Sequence, residues 1–99
     1  MTYRLSRRAE ADLTDIWLYS AERWGAEQAD RYVDDLIRRF VWLAEHRSLW
    51  RPRPALAEGL HSYPQQSHVI YVRQIDAAEP IIEIVRVLHG RMEPDGLLE

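Results

Sequence analysis

Two apolar stripes of helical period meet at a single glycine, and that junction limits the fold more than any other stretch of the chain. Ala9, Leu13, Ile16, Trp17, Ser20 and Trp24 recur at the spacing of one helix face. Ala29, Tyr32, Val33, Leu36, Phe40 and Leu43 form a second stripe that ends near His46. Ser6 stands where an N-cap belongs, and Gly25 where a C-cap belongs. Two helices joined by so short a turn make an antiparallel hairpin. Such a hairpin has one apolar side to bury, and a sheet is what the rest of the chain offers.

Residues 2–5 read as a short strand before the first helix. After the second, "HRSLWRPRPALAEG" carries two prolines, three arginines and no acid before Glu58, which reads as a loop with a helical turn near 54–58. "LHSYP", "SHVIYVRQI" and "PIIEIVRVLH" then read as three strands of an antiparallel meander. The last is apolar on both sides, with Ile82, Ile84 and Leu88 opposite Ile81, Val85 and Val87, as in a central strand. The expected fold is α+β: strand, helix, helix, strand, strand, strand. The helical hairpin packs on a small, mostly antiparallel four-stranded sheet, and residues 1–99 form one domain.

Composition removes several functions. There is no cysteine, so disulfides and thiolate metal sites are excluded. No apolar run is long enough to span a membrane, and the first residues lack the core of a signal peptide, so a cytoplasmic protein is expected. The formal net charge is −3, which argues against general nucleic-acid binding. Every basic side chain is arginine, which can clamp phosphate or carboxylate but cannot act as a general base. The four histidines, 46, 61, 68 and 89, show no metal-ligand spacing, and the four glycines are scattered rather than forming a phosphate loop. No metal or cofactor is expected.

The polar side chains of the sheet are the candidate chemistry. His61, His68, Tyr71, Arg73, Arg86 and His89 would lie on it. A phosphodiester could be cleaved there with His89 as acid or base and Arg73 and Arg86 on the phosphate. Arg86, between Ile84 and Leu88, needs a carboxylate partner, with Asp12, Asp15 or a C-terminal carboxylate as candidates. A second set is apolar. Leu18 and Tyr19 fall off the first helical stripe, Val41 and Trp42 off the second, and Leu49 and Trp50 follow in the loop. Such clusters of apolar and aromatic residues mark partner surfaces.

Three stretches together carry a family resemblance: "YRLSRRAEADLTDIWLYSAERWG", "GLHSYPQQSHVIYVR" and "IEIVRVLHGRM". In this order they resemble the ParE toxins of type II toxin–antitoxin systems, within the RelE/ParE superfamily. The resemblance implies a toxin that inhibits DNA gyrase and replication unless a ribbon-helix-helix, ParD-like antitoxin binds it. It also implies a toxin–antitoxin hetero-oligomer, and the apolar set Leu18, Tyr19, Val41, Trp42 and Trp50, which falls off the helical stripes or in the loop, is where the antitoxin is expected to bind. It places toxicity in the C-terminal segment, on Arg91, Met92, Leu97 and Leu98. RelE-like cousins cut mRNA on the ribosome, often with lysines that this sequence lacks. That alternative would use Arg73, Arg86 and His89.

Overall fold

The computed structural model describes residues 3–76, 81–94 and 96. Strand β1 is Tyr3–Leu5, helix α1 is Arg7–Trp24 and helix α2 is Ala26–Glu45. A 3-10 turn at Arg47–Leu49 leads to β2 (Arg51–Pro52), β3 (His61–Gln65), β4 (His68–Asp76) and β5 (Ile81–His89). The sheet order is β1-β5-β4-β3-β2, with β1 parallel to β5 and every other pair antiparallel. The fold class is the expected one. The fifth strand is the short β2, which lies inside the stretch read as loop.

Ser6 performs the expected cap and more. Its Oγ accepts from the Ala9 N–H at 3.0 Å and donates to the Val85 carbonyl at 2.7 Å. The start of α1 is thereby pinned to β5. Gly25 separates the helices with φ 92°, a conformation that a side chain would strain. Across the hairpin, the Trp17 Nε1–H donates to Asp30 Oδ1 at 2.8 Å.

The main core lies between the hairpin and one sheet face. Leu36, Phe40 and Leu43 from α2 meet Ile70, Val72, Ile82 and Ile84 from the sheet, all fully buried. Trp50 belongs to this core, 7% exposed, with its Nε1–H donating to the Leu43 carbonyl at 2.9 Å. That corrects the expectation that Trp50 is a surface residue. The chain turns back at the 3-10 helix, and the indole finds a carbonyl at the end of α2. Trp42 is half-buried rather than exposed. Its ring stacks on His46 at 4.3 Å and packs against Tyr63 at 5.2 Å. Trp24 departs in the other direction. It is 60% exposed, because α1 ends one turn beyond Ser20, its last buried position.

The opposite sheet face carries a smaller cluster of Leu60, Tyr71 and Leu88. Strict alternation would put Leu88 on the side of Ile82 and Ile84. A register shift changes that: Val72 pairs with Ile84 and Tyr71 with Arg86, which leaves Val85 extra. The bulge resets the alternation. Val87 therefore joins the helix-side core and Leu88 the other face.

Candidate functional site

Strand β1 covers β5 only from Ile82 to Ile84, so beyond that point the edge of β5 is free for α1. Asp12 takes the position. It accepts from Arg86 Nε and Nη2 at 2.8 Å each, and from the Val87 N–H at 2.9 Å. The carboxylate thus replaces the strand partner that β1 no longer supplies. Both side chains are nearly buried, at 13% and 11% exposure. Hydrogen bonding to Asp12 holds the Arg86 guanidinium above its ordinary pKa. The partner expected for Arg86 is therefore Asp12.

Beside this pair, α1 and the end of β5 enclose a cleft of about 430 Å³. Asp15 and Tyr19 line one wall, and His68, His89 and Met92 the other. The His68 and His89 rings meet edge to face at 5.4 Å. The Tyr32 hydroxyl lies 2.6 Å from His68 Nδ1, which ties α2 to the sheet. Burial lowers the His68 pKa to about 4, with His89 adding to the fall and Asp12 opposing it. With His68 neutral, its Nδ1 and the Tyr32 hydroxyl share one hydrogen bond whose direction follows the imidazole tautomer. Burial also raises the Tyr32 pKa, so the phenol keeps its proton.

The sign of this coupling sets a pH dependence. The folded protein holds fewer protons on His68 than the unfolded chain between pH 6.5 and about 4. Stability is therefore fully present above pH 6.5 and falls as pH drops through that window. Melting curves at a series of pH values should show a shallower acid loss for His68→Gln than for the natural protein. Parallel curves would mean that His68 is not the group responsible.

His89 closes the strand. Its Nδ1 accepts from the Arg91 N–H at 3.1 Å, its carbonyl accepts from the Met92 N–H at 3.0 Å, and the Gly90 N–H donates to the Ser67 carbonyl at 2.9 Å. Arg91 and Met92 leave this turn exposed, with Met92 at the mouth of the cleft. Leu97 and Leu98 lie outside the described residues. The nuclease set does not converge: Arg86 and His89 share the cleft, whereas Arg73 pairs with Glu83 at 2.8 Å elsewhere on the sheet. Among the described residues, no group of His, Cys, Asp and Glu is arranged to hold a metal. No helix among them is long and apolar enough to cross a membrane.

The apolar strip on α1 is real. Leu18 and Tyr19 are 56% and 57% exposed. Tyr19 and Trp24 meet edge to face at 6.4 Å, with the Arg23 guanidinium 5.4 Å from each ring. Val41 is also exposed. Sequence reasoning missed Trp24 as a surface residue because it continues the buried stripe. Tyr32 reads as a core residue in the sequence, and its contact with His68, 36 positions away, puts it behind one wall of the cleft without lining it.

Comparison with known proteins places this architecture. Residues 3–94 match the family described as the ParE toxin of type II toxin-antitoxin system, parDE. The chain is 44% identical over 90 residues to Toxin ParE1 of Caulobacter vibrioides, covering 91% of this chain and 90% of the relative. It is 33% identical over 93 residues to Toxin ParE1 of Mycobacterium tuberculosis, covering 94% and 93%. A solved structure described as the chromosomal ParDE TA system from P. aeruginosa shares the fold, with TM-score 0.74 and 22% identity over 90% of this chain and 95% of that one. The match runs from β1 to the turn after β5, and this chain belongs to the ParE toxin family of type II toxin–antitoxin systems.

Proposed function

We propose that this toxin poisons DNA gyrase in the cytoplasm, trapping cleaved DNA and arresting growth, and that a ParD-like ribbon-helix-helix antitoxin neutralises it in a hetero-oligomer. The observation that carries the reading is the 44% identity to a named ParE1 toxin along nearly the whole chain. The separation of Arg73 from Arg86 and His89 favours a poison over a ribosome-dependent nuclease. Toxicity is assigned to Arg91 and Met92, exposed at the end of the sheet, and to the following leucines Leu97 and Leu98. The test adds purified toxin to gyrase, ATP and supercoiled plasmid. Linear DNA should accumulate, and Arg91→Ala with Met92→Ala should reduce it. Translating ribosomes given the same toxin should show no new mRNA cuts. Cuts in the ribosomal A site with gyrase unaffected would establish the nuclease reading instead.

The antitoxin surface is assigned to the α1 strip. Leu18, Tyr19 and Trp24 offer the apolar anchors that an amphipathic helix seats against. Val41 and the accessible edge of Trp42 form a flanking contact, and Trp50 acts only by supporting the fold. Aromatic anchors at such surfaces cost about 2 kcal/mol or more on truncation. Leu18→Ala with Tyr19→Ala should therefore weaken antitoxin binding by about 30-fold or more, while the melting temperature stays close to that of the natural protein. Unchanged affinity by calorimetry would remove the strip from the interface.

A further inference from the structure

The net charge of −3 conceals a division between the two sides of the molecule. Helices α1 and α2 carry nine carboxylates against six arginines. The sheet face turned away from them is different. Residues on that face are identified by the Leu60, Tyr71 and Leu88 cluster and by strand register. Arg73 shares it with Tyr71, two positions away on β4. Arg4 and Arg73 flank Glu83 at 3.9 and 2.8 Å, so two guanidiniums share one carboxylate.

The β2 edge extends this surface. Arg51 pairs with Ser62, and the Arg53 N–H donates to the Leu60 carbonyl at 2.9 Å, continuing the ladder beyond β2. Arg51 and Arg53 are two residues apart in extended chain, so both side chains lie on the face of Leu60 and Ser62, about 6.7 Å apart along the strand. Arg53 Nη1 reaches Ser62 Oγ at 3.4 Å. Ser62 is the register partner of Tyr71, so this contact turns the guanidinium toward the Tyr71 strand, and the Arg53 charge opposes the rise that burial gives the Tyr71 pKa. Arg51 and Arg53 line an open cleft of about 410 Å³ with Pro52 and Pro54. Among the described residues, neither has a carboxylate within ion-pair distance. Residues 46–57 hold Arg47, Arg51 and Arg53 with no acid, and Glu58 stands at the rim beside Arg73.

We infer that this sheet face, led by Arg51 and Arg53 and continued by Arg73, is a phosphodiester-backbone contact surface that rests on the duplex held by gyrase in the trapped complex. The inference depends on the gyrase reading above. Guanidinium forks match phosphate oxygens, and arginines set along the rim of a face whose apolar centre is covered by Leu56 suit a backbone rather than a small enclosed anion. The acidic helical layer, which carries the proposed antitoxin strip, lies on the other side. The overall negative charge keeps binding to free DNA weak, so the contact operates where gyrase presents the duplex.

The experiment compares the natural toxin with Arg51→Gln/Arg53→Gln in gyrase cleavage, titrating toxin at about 50 and 200 mM salt. The toxin concentration for half-maximal linear DNA should rise at least about tenfold in the variant at the lower salt. The log–log salt slope should shrink by about two, one for each phosphate that an arginine no longer neutralises. Antitoxin affinity and melting temperature should stay unchanged, which excludes misfolding. An identical titration and slope in the variant would overturn the inference while leaving the gyrase reading intact. Equal loss of binding to gyrase without DNA would overturn it in favour of an acidic protein surface. Absence of linear DNA with the natural toxin would overturn the gyrase reading and this inference with it.

Discussion

Asp12→Ala is expected to lower the unfolding free energy by about 3 kcal/mol, the low end of the cost of removing one member of a buried ion pair. Asp12 accepts three hydrogen bonds, two from Arg86 and one from the Val87 backbone. Alanine leaves the guanidinium without that carboxylate and the Val87 N–H without its acceptor, on a strand edge that β1 does not cover. A domain of this size has roughly 5–15 kcal/mol in total, so the loss is a large share. It should appear in thermal melts as a fall of more than about 10 °C. Asp12→Ala combined with Arg86→Met should recover part of the loss, because the buried charge is then gone as well. Additive losses in the double variant would contradict an electrostatic strut and leave only poorer packing as the cause.

Trp50→Ala is expected to cost about 3–5 kcal/mol, the usual range for emptying an aromatic site in a core. The indole packs with Leu43, Phe40 and the sheet residues of the main core, and its N–H is satisfied by the Leu43 carbonyl. Chemical denaturation should show the midpoint falling with the m-value unchanged. In conditions where the variant is folded, its antitoxin affinity should match that of the natural protein. A variant of normal stability that loses antitoxin would return Trp50 to the interface.

The hairpin is legible in the sequence because three local signals agree: the helical period, the Ser6 cap and the isolated Gly25. The central position of β5 is legible from apolar residues on both sides. The features that are not legible depend on contacts between distant segments. The Val85 bulge breaks the alternation that assigns faces, so Leu88 and Val87 exchange sides without any local sequence mark. Trp50 sits among prolines and arginines, a setting typical of surface loops, yet the carbonyl that satisfies it lies seven residues back on α2. Trp24 continues a buried stripe past the point where anything lies beneath it. The cleft combines Tyr19 and Asp12 from α1 with His68 and Met92 from the other end of the chain. Arg86 is the useful exception. An arginine between core residues demands a carboxylate, and that demand points to Asp12 as one of few candidates without any geometry.

The most direct measurement titrates the antitoxin into gyrase, ATP, supercoiled plasmid and purified toxin, and reads linear DNA after the protein is denatured and digested. The expected result is linear plasmid in proportion to free toxin, falling to background once the antitoxin has bound it all. Plasmid that stays uncut at every toxin concentration, beside mRNA newly cut on ribosomes by the same preparation, would contradict the account.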